Sequence, residues 1–208
     1  MRLNRINLRT LSWFVASIVV VGLVAACGAA DEAADEPLFA NAFAGEVDDD
    51  LFIGVLVADY PSEPQRKALV VYLCDGADVS TWLFGEAIGD SAVLETAGVR
   101  VELSLGEESV VGEVERTGGA PRSIAAALAA SDAGLFRTEQ TIDGLHYVGG
   151  WIILNDARQR GAITLDGEVV ENPTLDPYTG EAETSLGTFG TNCFRDPRTG
   201  ERICRYLN

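Results

Sequence analysis

The chain has 208 residues, with 32 acidic side chains against 15 basic ones, a formal net charge of −17 and a single histidine. Charge of this sign repels nucleic-acid phosphates and anionic headgroups, which excludes nucleic acid as a partner and favours cations, cationic ligands or simple solubility. Of the basic residues 14 are arginine and one, Lys67, is lysine, a bias that GC-rich codon usage explains without any arginine chemistry.

Arg2, Arg5 and Arg9 precede an uncharged run, "LSWFVASIVVVGLVAA", over residues 11–26. A bilayer-spanning helix needs about 20 apolar residues, so this run is short for a stable span. A basic start, a short apolar stretch and small residues at its end fit a secretory signal peptide over 1–26. Val24-Ala25-Ala26-Cys27 resembles the lipobox of bacterial lipoproteins: an aliphatic residue, two small ones, then cysteine. The resemblance implies a diacylglyceryl group on the Cys27 thiol, cleavage before it, and an extracytoplasmic domain held to the membrane by its lipidated N-terminus. Two or three acyl chains anchor stably where one holds only marginally. Ordinary secretion after an A-x-A cleavage and an uncleaved short anchor are the alternatives. Without residues 1–26, which hold three of the arginines, 12 basic residues face 32 acids for a net charge of −20.

Residues 28–50 carry eight acids and no basic residue, and the reading here is a flexible tether over 27–50 that begins to dock at "LFANAF". A chain of that length spans on the order of 25–30 Å. From Leu51 the texture changes to short apolar or alternating runs: "LFIGVLVA", "ALVVYLC", "VSTWLFG", "AVLETA", "VRVELSL", "SVVGEVE", "GLFRTEQ", "HYVGGWIIL" and "RGAITL". Asp75-Gly76, Gly89-Asp90, Gly106-Glu107 and Asn155-Asp156 mark turns between them. Many short strands at this spacing predict an all-β domain over 51–165, a single small antiparallel meander barrel or sandwich. In "VRVELSL", Val99, Val101, Leu103 and Leu105 share one face and Arg100, Glu102 and Ser104 the other, a strand with one wet side. "APRSIAAALAASDAG" over 120–134 reads as helix by propensity, with Pro121 suited to a first helical turn.

Four stretches resemble a group of small extracytoplasmic bacterial β domains whose sequences run "YVCDG", a tryptophan strand, "GLYRA" and "GGWIVLPDGRQVG". They are "YLCDG" (Tyr72–Gly76), "TWLFG" (Thr81–Gly85), "GLFRT" (Gly134–Thr138) and "GGWIILNDARQRG" (Gly149–Gly161). The resemblance implies fold and location, carries no activity, and tilts the alanine run towards strand.

Residues 166–208 turn polar and read as a C-terminal extension. Cys193 and Cys204 flank "FRDPRTGERI", whose Pro197 and Gly200 carry turn chemistry, so a hairpin with a Cys193–Cys204 disulfide is expected there. Cys74, in an apolar run, reads as a small buried hydrophobe. "DPYTGE" recurs as "DPRTGE" twenty residues on. Asp176, Glu181, Asp196 and Glu201 are weak calcium candidates, but neither loop offers the spacing of an EF-hand, and two similar turns are the blander account. No metal or other cofactor is expected.

No nucleophile–base constellation stands out. His146 sits at the start of a strand, no G-x-S-x-G, H-E-x-x-H or P-loop occurs, and Asp75 beside Cys74 opposes thiolate formation. The expectation is therefore a lipid-anchored extracytoplasmic β domain that acts as a binding or interaction module for an envelope protein or small ligand, not an enzyme. Tyr72, Trp82, Phe136 and Trp151 are the aromatics to watch, as core packing or as a ligand cavity. A carboxylate-based envelope hydrolase and a structural envelope lipoprotein are the alternatives. A deep apolar cavity would favour binding, a cleft with two facing carboxylates and one raised pKa an enzyme, and a filled core with an unbroken acidic surface a structural role.

Overall fold

Apolar residues spaced two apart line one wall of each of the first eight strands, and that period wraps them around a common interior. The computed structural model describes residues 38–130, 132–191, 193–195 and 202–204. The expected signal peptide over 1–26, Cys27, the first part of the expected tether, Asp196 and Glu201 lie outside these residues. Strands β1 (Leu38–Glu46), β2 (Phe52–Tyr60), β3 (Glu63–Cys74), β4 (Ser80–Ile88), β5 (Ser91–Thr96), β6 (Val99–Leu105), β7 (Ser109–Arg116) and β8 (Arg122–Leu128) form an antiparallel meander. Strand β8 pairs back with β1 and closes the barrel. Its interior is filled by aliphatic side chains, among them Ile53, Val55, Leu69, Val71, Leu83, Val101, Leu103 and Val114. An eight-stranded barrel is just wide enough for side chains to fill.

Two boundaries differ from the sequence expectation. The β domain begins at Leu38, not at residue 51, because the second half of the expected tether is β1. The eight acids of 28–50 lie at its two ends, and the stretch between Glu36 and Glu46 has none. Phe43 within it is buried in the barrel. The alanine run is a strand: Ile124 and Ala126 face inward on β8, while Ala125 and Ala127 face out. Helix propensity loses here because β1 needs a partner to close the barrel, and small residues let the two backbones approach. A Cβ placed on Gly45 would stand 2.1 Å from the Ala125 carbonyl oxygen.

A second sheet, in the order β12-β11-β10-β9, comprises β9 (Gly134–Ile142), β10 (Leu145–Ile153), β11 (Gln159–Leu165) and β12 (Glu168–Glu171). It covers the outside of β1–β3, where Leu135, Ile152, Leu154 and Ala162 pack on Ala44, Phe52, Leu56, Tyr72 and Cys74. Two Asp-Gly hairpins build it. Asp143 and Gly144 have φ of 51° and 81°, and Asp166 and Gly167 have 52° and 84°, the left-handed pair that a two-residue type I′ turn requires. The second hairpin is why the β domain does not end at Leu165 as expected: the chain turns at Asp166 and returns as β12. The supposed polar extension then supplies β13 (Glu181–Thr184) and β14 (Gly187–Gly190). They belong to a third layer in which Leu175, Ala182 and Phe189 pack with Phe136, Tyr147, Trp151, Ile153 and Ile163. Strands β15 (Cys193–Arg195) and β16 (Arg202–Cys204) pair antiparallel with Cys193 opposite Cys204.

Candidate functional site

The four aromatics do not share a cavity. Tyr72 and Trp82 meet between barrel and second sheet, stacked with ring centroids 4.1 Å apart. Trp151 and Phe136 are cross-strand partners in the third layer. Tyr72, Phe136 and Trp151 are fully buried and Trp82 half-buried. Tyr72 Oη lies 2.9 Å from Ser80 Oγ, and Trp151 Nε1 donates to the Pro173 carbonyl at 2.8 Å. Burial, with Cys74 adjacent, pushes the Tyr72 phenol well above its usual range. These rings are packing elements.

The glycines of the motifs explain why. A Cβ on Gly150 would stand 2.6 Å from both Tyr72 and Trp82, and one on Gly161 would stand 2.0 Å from Trp151 Cδ1. "GGW" and the final glycine of "RQRG" are therefore the space the rings occupy. In "YLCDG", Asp75 Oδ1 accepts the N–H groups of Ala77, Asp78 and Val79 and shapes the β3–β4 turn. Gly76 has φ of 74° and lies under the Arg160 stem. In "GLFRT", Arg137 lies over the Trp82 ring at 5.0 Å and pairs with Glu139. Each of these residues has a packing or turn role. Cys74 is a buried free thiol whose pKa burial pushes up, the opposite of an activated nucleophile. His146 is exposed, 3.3 Å from Glu139. Asp176 Oδ1 accepts from the Tyr178 and Thr179 N–H groups, so it serves its own turn. Among the described residues no group of three or more His, Cys, Asp or Glu side chains is placed to hold a metal ion.

The barrel itself is asymmetric. At one end Leu51, Val79 and Val47 plug the interior. At the other the inward-facing rows turn polar within one step of two residues: Phe43 gives way to Asn41, Val57 to Asp59 and Leu69 to Lys67. Asp90, in the β4–β5 turn, and Glu107, in the β6–β7 turn, complete the rim of a cup of about 280 Å³. Its floor is Phe43, Val57 and Leu105. Lys67 Nζ is 3.0 Å from Asp90 Oδ1. The cross-strand partner of Lys67 is Asp59, which, like Glu107, carries no ion pair among the described residues. Among the described residues the cup holds three carboxylates against one ammonium.

Sequence reasoning missed this site. The signal was there in the strand period: Asp59 is in step with Ile53, Val55 and Val57, and Lys67 with Leu69 and Val71. A second, more open concavity of about 400 Å³ lies where β1 and β8 meet the β10–β11 turn. Its charges are spent on each other, because Arg158 pairs with both Glu46 and Asp156. The shifted carboxylates of the described residues all move down. Hydrogen bonds from Arg66 lower Glu86 and those from Arg158 lower Asp156. At Asp48 and Glu139 burial pulls upward, but backbone N–H groups with Arg122 at the first, and Arg137 at the second, outweigh it. A general acid needs the reverse. No protein-family model, curated protein or solved structure matches the chain.

Proposed function

We propose that the chain is a lipid-anchored extracytoplasmic binding module whose ligand sits in the mouth of the barrel. The mouth carries the proposal: an otherwise filled and plugged barrel opens at one end into a cup with an apolar floor and converging polar groups. Barrel mouths are a recurrent place for small-molecule sites, and an apolar wall with a few polar groups is their usual lining. The lipobox-like Val24–Cys27 supports membrane attachment, and the Cys193–Cys204 register supports a disulfide suited to an oxidising compartment.

Lys67 supplies the test, since no other lysine competes for an amine-reactive acyl donor. Small-molecule fractions from the envelope are expected to slow its acylation, read by peptide mass spectrometry on the full protein. If every fraction leaves the rate unchanged, the mouth is not the binding site. For the anchor, Cys27→Ser is expected to abolish incorporation of labelled fatty acid and membrane retention. A Cys27→Ser protein that stays lipidated refutes the attachment site.

A further inference from the structure

The charges of the mouth select among ligands. We infer that the cup takes a small organic cation. This rests on the mouth being a binding site. Lys67, the one cation among the described residues of the rim, is already engaged by Asp90 at 3.0 Å. Asp59 and Glu107 remain without a counter-ion among the described residues, and they stand above the apolar floor of Phe43 and Val57. An anion entering the cup meets two uncompensated carboxylates, whereas a cation neutralises them. Phe43 and Val57 are themselves 2% and 8% exposed and offer a guest little surface, so the size of the cup and not its floor points to an organic cation over a bare inorganic one. A volume of about 280 Å³ limits what enters the cup to metabolite size.

A matched set of probes tests this on the full protein: choline, its uncharged isostere 3,3-dimethylbutan-1-ol, and 3,3-dimethylbutyrate. None carries an amine that would consume the acylating reagent, so protection of Lys67 reads occupancy in each case. Choline is expected to protect about tenfold better than the alcohol, and the acid not at all. In the doubly substituted Asp59→Asn, Glu107→Gln protein that preference is expected to collapse to within about twofold. Both side chains are exposed, and an unchanged thermal melt shows that the variant folds. Equal protection by choline and the alcohol overturns the cation inference and leaves the site standing. Protection by envelope fractions but by none of the three probes also overturns it. Protection by neither fractions nor probes removes the binding site itself.

Discussion

The two halves of the barrel share one interior and differ in what touches their outside. The outer face of β1–β3 lies under the second sheet, so Phe52, Leu56, Tyr72 and Cys74 are as dry as the inward-facing Ile53, Val55 and Val71. The outer face of β5–β8 meets water, and there Arg100, Glu102, Ser104, Glu113 and Ser123 alternate with the buried row. Val93 and Val111 lie among them 55% and 49% exposed. A continuous apolar run thus marks a strand with two dry faces, and strict alternation a strand with one. The same polypeptide carries both signatures, "LFIGVLVA" and "VRVELSL", because one half is a middle layer and the other a surface.

This contrast is probed first on the face of the second sheet that points away from the barrel. Trp151→Ala is expected to cost about 3–5 kcal/mol in chemical denaturation, since it empties the centre of the third layer. A loss below 1 kcal/mol would show that the outer layers do not contribute to the cooperative unit. Gly161→Ala is expected to cost about 1–3 kcal/mol by driving a methyl into the Trp151 ring, and the double variant Gly161→Ala, Trp151→Ala to cost less than the sum. Strict additivity would refute the contact.

Acid probes the seams. A carboxyl held below its ordinary value binds its proton more weakly in the fold than in the unfolded chain. Its stabilisation is whole above the unfolded value and is lost as pH falls through the folded one. Asp48, which joins the β1–β2 turn to Arg122 on β8, is such a group. Stability is expected to be flat between about pH 5 and 7 and to decline below about pH 4, with Asp48→Asn flattening the decline by at most about 1 kcal/mol. A decline already complete at pH 5 would assign the acid sensitivity to other groups. On the wet half, Glu102 and Glu113 stand directly opposite each other on β6 and β7. Glu113→Lys is expected to stabilise by about 0.2–1 kcal/mol. Val111→Thr on the same surface is expected to move stability by no more than about 0.5 kcal/mol. A cost of several kcal/mol at Val111 would mean that this face is covered too.

The β character and the meander were legible from residue 51 to Leu165, because period-two patterning and turn residues act locally. The wet face of β6 was read residue by residue. Asp166-Gly167 was also local, and a stricter use of the type I′ signal would have carried the second sheet to Glu171. The mouth was half legible: the strand period places Asp59 and Lys67 on the inner row, but only closure brings Asp90 and Glu107 from two turns to the same rim. The four aromatics carried two readings in the sequence, packing or cavity, and the layers place them in packing.

By itself the sequence determined strands and turns, the burial of Cys74, and the absence of a recognisable catalytic motif, since each follows from neighbours in the chain. Only the tertiary structure decided that Leu38–Glu46 is barrel and not tether, and that an alanine run with helical propensity is a strand. Both decisions come from ring closure: β1 and β8 are 75 residues or more apart and pair only when six other strands have curved between them. Long-range hydrogen bonding outweighs local preference there, because an open edge would leave both backbones unpaired.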